Sequence, residues 1–167
     1  LGTLMGPDAL RTAGIGRILD QLGFAVEDHG NMAKPGGAAA EGPPPANAKY
    51  YDTIKGWIRE LSERSYSLAS SGAVPIFMGG DHSLSMGSVN GVARHWQEQG
   101  RPLFVLWLDA HADFNTPQTT ETGNMHGMSA AFLCGEGGLD GLLGNHPRAS
   151  IGPDQIDRNH VRSAHDR

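Results

Sequence analysis

Apolar positions in this chain follow two patterns. Short unbroken apolar runs occupy residues 24–26, 74–78 and 103–108, and between them apolar residues recur every three or four positions. An unbroken run suits a strand buried on both faces of a parallel sheet, while the three-to-four spacing suits one face of a helix. Their alternation predicts a parallel α/β unit. Gly6-Pro7-Asp8 opens the first helical pattern, with Leu10, Ile18, Leu19 and Leu22 on one face, Gly14 and Gly16 weakening its middle, and Gly23 as its stop. Residues 30–46, rich in Gly, Pro and Ala, predict a mobile surface loop. Asn47 is expected to cap the next helix, which packs Tyr50, Tyr51, Ile54, Trp57, Ile58, Leu61 and Leu68 inward. Ser83 is expected to cap a third helix with Ser85, Val89, Val92 and Trp96 on one face. Residues 128–133 predict a short packed helix stopped by Gly135, after which periodicity is lost.

Polar chemistry gathers where the apolar runs end. Asp109, His111 and Asp113 follow residues 103–108 at intervals of two, which in extended chain points all three side chains to one side. His82 follows residues 74–78 and the turn-permitting pair Gly79-Gly80. In a parallel α/β unit both strand ends lie at the carboxyl edge of the sheet, which brings His82 toward Asp109, His111 and Asp113. Two carboxylates and two imidazoles converging there form a metal-ligand cluster. Oxygen-rich ligation without thiolate suits manganese, though zinc or cobalt can occupy such a site. Next come Asn115, Thr116, Thr119, Thr120, Thr122 and Asn124, whose hydroxyls and amides serve either turns or a polar ligand. His29, His146, His160 and His165 lack ligand spacing and are expected at the surface.

Charge and composition narrow the partners. A net charge of -5 with no basic run argues against nucleic acid and leaves a small cationic substrate open. Cys134 is the only cysteine, so no internal disulfide forms, consistent with a reducing cytoplasm. Neither an 18-residue apolar span nor a signal-peptide pattern occurs, so a soluble protein without a membrane partner is expected. At 167 residues one domain is expected, with its metal-site core in residues 74–136.

Three stretches together resemble the signatures of the ureohydrolases, and within them the arginases: Gly79-Gly80-Asp81-His82-Ser83, Asp109-Ala110-His111-Ala112-Asp113, and Thr122-Gly123-Asn124-Met125-His126-Gly127. Met5-Gly6-Pro7-Asp8 is similar to the family's N-terminal segment, and the likeness runs from Gly2 to about Glu136. The resemblance implies a three-layer α/β fold of arginase/deacetylase type, a parallel sheet flanked by helices, assembled as a homotrimer or homohexamer. It implies hydrolysis of L-arginine to L-ornithine and urea by a hydroxide bridging two Mn2+ ions. His82, Asp109 and Asp113 would then serve one Mn2+, and Asp109 and His111 the other. Asn115 and Thr122, with Asn124 alongside, would receive the substrate's α-carboxylate, and His126 would transfer the proton. A guanidinium carbon is a poor electrophile, and two bridged metals answer this by lowering a bound water's pKa from ~15.7 toward ~7. The leaving amine needs a proton, which a histidine titrating near neutral pH can supply.

Family members are longer and carry a later Asp-x-Asp motif with further ligands, and no Asp-x-Asp follows Asp113 here. A partial sequence of a larger arginase, inactive by itself, is therefore expected. The alternatives are an agmatinase-type guanidino hydrolase or a truncated, non-catalytic relative. A loop built to receive an α-carboxylate favours arginine, because agmatine has none.

Overall fold

The structure is a computed structural model, and it describes residues 3–36, 42–149 and 151–158. The chain divides into two compact units, Leu1–Lys34 with Ile76–Asp81, and Pro35–Pro75 with His82–Arg167. The loop residues 37–41 and the histidines at 160 and 165 lie outside the described residues.

In the first unit the expected single helix is two, α1 (Gly6–Thr12) and α2 (Ile15–Gln21). The break falls at Gly14, whose φ of 90° is the left-handed conformation that interrupts a right-handed helix. Neither helix buries a residue, so the expected apolar face stays exposed at Leu10, Ile18 and Leu22. Arg11 fastens the polar side: its Nε and Nη2 donate to the two carboxylate oxygens of Asp28 at 2.7 and 3.0 Å, and its Nη1 reaches Asp8 at 3.3 Å. Gly79 has a φ of 88°, and a Cβ there would meet Pro7 Cγ at 2.4 Å, so only glycine passes. The expected strands at residues 24–26 and 74–78 do not form. Phe24, Val26, Val74, Ile76 and Phe77 are exposed, because an extended run is a strand only when a neighbour takes its backbone hydrogen bonds.

The second unit holds α3 (Tyr51–Ser70), α4 (Ser85–Glu98), β1 (Val105–Trp107), α5 (Ser129–Leu133) and β2 (Ile156–Arg158). β1 and β2 pair in parallel, with Val105 opposite Ile156 and Trp107 opposite Arg158. Asn47 does not cap α3; the residue before the helix is Tyr50, and Lys49 N–H donates to the Gly123 carbonyl at 2.9 Å. The buried face of α3 carries Tyr51, Ile58 and Leu61 as expected, together with Lys55, Ser62 and Ser65, while Tyr50 is exposed. Ser83 does not cap α4 either; it is buried in a 3-10 turn, His82–Leu84, and Leu84 precedes the helix.

The expected face of α4 is only half-buried. Its buried face carries Met86, Gly87, Asn90, Gly91, Ala93 and Arg94. Two glycines four apart decide this, because they let α4 close on α3. A Cβ on Gly87 would stand 2.6 Å from the Ile58 carbonyl oxygen, and one on Gly91 2.2 Å from that of Ser62. A polar seam fills the close approach. Asn90 Nδ2 donates to Ser62 Oγ at 2.8 Å, Asn90 Oδ1 accepts from Ala149 N–H at 2.8 Å, and Arg94 Nη1 donates to Glu63 at 2.7 Å. A buried amide satisfied at both ends is what burial requires.

β1 is shorter than the apolar run of residues 103–108 and is buried on one face only. Trp107 is 4% exposed, whereas Phe104, Leu106 and Leu108 are 72, 60 and 75% exposed. Side chains alternate along a strand, and among the described residues no element covers the second face. Of the described helices, none is long and apolar enough to cross a membrane.

Candidate metal centre

His82 and the two aspartates meet just past the carboxyl end of β1. His82 Nδ1 stands 2.9 Å from Asp109 Oδ2 and 2.7 Å from Asp113 Oδ2. One ligand atom from each of the three residues lies within 4.8 Å of the others, a spacing that ligands around one divalent ion adopt. His111 is placed differently. Its Nδ1 is 3.4 Å from Asp109 Oδ1, but its side chain is 83% exposed and stays outside the three-residue group.

Local structure explains the convergence. Asp109 Oδ1 accepts the His111 backbone N–H at 2.9 Å, which bends the chain as it leaves β1. Asp113 takes a φ of 48°, a left-handed conformation that aspartate tolerates at a cost of about 1 kcal/mol or more. Its carbonyl holds that bend by accepting Ala130 and Ala131 N–H at 2.9 and 3.3 Å, two donors that α5 cannot satisfy internally. The His82 carbonyl accepts Ser85 Oγ at 2.7 Å and Ser129 Oγ at 2.9 Å, which ties the start of α4 to the start of α5.

Electrostatics separate the two carboxylates. The His111 backbone N–H is the main reason that Asp109 lies below the usual carboxylate range; burial opposes this and the His82 charge assists it. Burial pushes Asp113 up, with the Asp109 charge adding to that and His82 opposing it. Asp113 Oδ2 is buried and, although close to His82 Nδ1, makes no hydrogen bond among the described residues. A buried carboxylate oxygen with no donor among the described residues, facing a second carboxylate and an imidazole nitrogen, suits a cation. The donor set fits a hard to borderline divalent ion such as Mn2+.

The expected substrate loop is largely self-bonded. Thr119 Oγ1 accepts Thr116 N–H at 2.8 Å and donates to Asn115 Oδ1 at 3.3 Å, and Thr120 and Thr122 hydroxyls accept Gly123 and Asn124 N–H at 3.0 and 3.2 Å. Asn115 and Thr122 are exposed, Asn124 is half-buried, and Asn115 N–H donates to Gly127 O at 3.0 Å. His126 is exposed in the 3-10 turn Met125–Met128 and stays outside the three-residue cluster. His29 and His146 stand beside Glu27 and Glu63, each at 3.5 Å. Two neighbours of the cluster were not picked out by sequence reasoning. Trp107 stacks on His82, and Ser129 bonds its carbonyl. Trp107 had a signal, since it lies two positions before Asp109 in the apolar run that leads to the cluster; Ser129 had none.

A parallel strand pair packed against helices, with carboxylates and an imidazole converging past the first strand, defines an α/β protein with a candidate cation site at the carboxyl edge of its sheet. The model of the Arginase family matches residues 1–165, and the chain belongs to that family. It is 47% identical over 141 residues to an arginase of Agrobacterium fabrum, covering 84% of this chain and 43% of that one. To an arginase of Brucella melitensis it is 44% identical over 142 residues, covering 85% and 46%. Among solved structures, Bacillus caldovelox arginase matches at a TM-score of 0.78 and 29% identity, covering 93% of this chain and 50% of that one. Bacillus cereus arginase matches at 0.76 and 31%, covering 93% and 49%. The expected fold class is therefore correct, and the two strands seen here are part of that fold. The chain spans about half the length of the relatives it matches.

Proposed function

We propose that the polypeptide to which these residues belong hydrolyses L-arginine to L-ornithine and urea with two Mn2+ ions. One observation carries the reading: in a chain of the arginase family, His82, Asp109 and Asp113 converge around a buried carboxylate oxygen that has no hydrogen-bond donor among the described residues. His82, Asp109 and Asp113 would hold one ion, and Asp109 with His111 the other, Asp109 bridging. When bound, such ions make water acidic enough to attack at neutral pH. Asn115, Thr122 and Asn124 receive the substrate's α-carboxylate and orient the guanidinium toward the cluster. That requires the loop to exchange some of its internal hydrogen bonds for bonds to substrate. His126, exposed in the 3-10 turn Met125–Met128, donates a proton to the departing amine. The single cysteine accords with a reducing cytoplasm, and assembly as a homotrimer or homohexamer follows the family likeness.

Two measurements test the reading. Urea release from L-arginine by the whole polypeptide should exceed release from agmatine and should fall together with Mn2+ content on Asp113→Asn. Undiminished turnover in that variant would refute the assigned ligands. Residues 1–167 by themselves should bind at most one Mn2+ and release no urea, because these residues offer three ligands to one ion and two to the other. Two tightly held equivalents with turnover would overturn that count.

A further inference from the structure

A histidine that ligates a metal is normally held by its second ring nitrogen, which donates to a carboxylate, a carbonyl or water and thereby sets the plane of the ring. Among the described residues no carboxylate or carbonyl holds His82 in this way. Its Nδ1 faces both aspartates, and among the described residues its Nε2 has no hydrogen-bond partner. The contact that fixes its plane is the indole of Trp107, with ring centroids 4.3 Å apart and planes 19° from parallel. The indole is itself fixed, being 4% exposed and in register with Arg158 on β2. Trp107 ends β1 and Asp109 follows two residues later, so one short stretch of chain supplies both the bridging carboxylate and the platform under the imidazole. Among the described residues the Trp107 Nε1 has no hydrogen-bond partner, so the indole acts here through its face.

We propose that Trp107 is a positioning residue for the metal centre: its indole holds the His82 ring so that Nδ1 stays aimed between Asp109 and Asp113. This rests on the reading of the cluster as a cation site. Without the stack the imidazole is free to rotate about its χ2 torsion, and each productive encounter with the ion must first recover the right plane. Phenylalanine keeps a ring face at this position, whereas leucine fills space without one.

The test is a double-mutant cycle read by Mn2+ affinity, using electron paramagnetic resonance titration of the purified chain. Trp107→Leu should weaken Mn2+ binding about tenfold, the scale of lost outer-shell support, and Trp107→Phe should restore most of it. In a His82→Ala background Trp107→Leu should have no further effect, because its route to the ion is already gone. An equal loss in both backgrounds shows a merely structural role and overturns the inference, as does Trp107→Leu binding like wild type. If His82→Ala itself leaves Mn2+ affinity unchanged, the cation-site reading fails and the inference falls with it. A readout free of both metal and variants is the proton spectrum of the apo chain. The carbon-bound ring protons of His82 should lie upfield of those of exposed His111, shifted by the indole ring current. Coincident shifts would overturn the stack even if the leucine variant does not fold.

Discussion

Gly91→Ala is the perturbation for which the structure gives the firmest magnitude. The added Cβ would stand 2.2 Å from the Ser62 carbonyl oxygen, 2.6 Å from Ser65 Cβ and 2.7 Å from Tyr66 N. Two of these atoms are α3 backbone and cannot swing aside. Carbon and oxygen approach no closer than ~3.3 Å in even the tightest ordinary contacts, so α4 must recede by about 1 Å. Overpacking of this kind costs roughly 1–3 kcal/mol. Recession also stretches the buried Asn90–Ser62 hydrogen bond, 2.8 Å long, and the part-buried Arg94–Glu63 bond, 2.7 Å long. A buried polar group left unsatisfied costs about 1–3 kcal/mol more. Against this, alanine gains about 1 kcal/mol over glycine inside a helix. The expected net loss is about 3 kcal/mol, a large share of the ~5–15 kcal/mol that holds a domain together. Urea denaturation followed by circular dichroism measures it, with Gly16→Ala in α2 as control. Nothing lies within 4 Å of a Cβ there, so that variant should gain stability by up to about 1 kcal/mol. Because α4 begins one turn after His82, Gly91→Ala should also weaken Mn2+ binding. A Gly91→Ala chain as stable as wild type, with an unchanged denaturant slope, would refute the close-packing argument.

Asn115→Ala or Thr122→Ala in the whole polypeptide should weaken L-arginine binding more than agmatine binding, by about 1–3 kcal/mol in the difference, since only arginine brings a carboxylate; equal losses on both substrates in steady-state kinetics would show that the loop does not read that group. The Arg11 hydrogen bond is the main cause of a lowered Asp28 pKa, so Arg11→Gln should raise the Asp28 midpoint toward the ordinary carboxylate value in a carbon-detected NMR titration. The native value lies below the unfolded one, so the ion pair's contribution is present above the unfolded carboxylate pKa and is lost as pH falls through the lowered native value. The variant should therefore show a shallower loss of stability on the acid side, and an unshifted midpoint would sink the assignment.

Much of the site was legible from local sequence. Residue types placed just after apolar runs anticipated that His82, Asp109 and Asp113 would meet, although residues 74–78 form no strand and the chain bends between Asp109 and Asp113. Periodicity alone found α3, because a long amphipathic face is a local property. The tertiary structure decided what local pattern leaves open. Gly14 divided a helix whose apolar spacing ran straight through it. Gly87 and Gly91 turned α4 onto a face that no count of apolar residues selects, because it is lined by absent side chains and by Asn90 and Arg94. Residues 24–26 and 74–78 stayed out of any ladder and 103–108 kept only three paired residues, since a strand depends on neighbours that its own sequence does not contain. The same holds inside the cluster. Residue types announced the candidate ligands, but the orphaned oxygen of Asp113, the exposure of His111 and the indole beneath His82 depend on which distant surfaces meet. Spacing along a chain determines which way a side chain points, and only packing determines what it finds there.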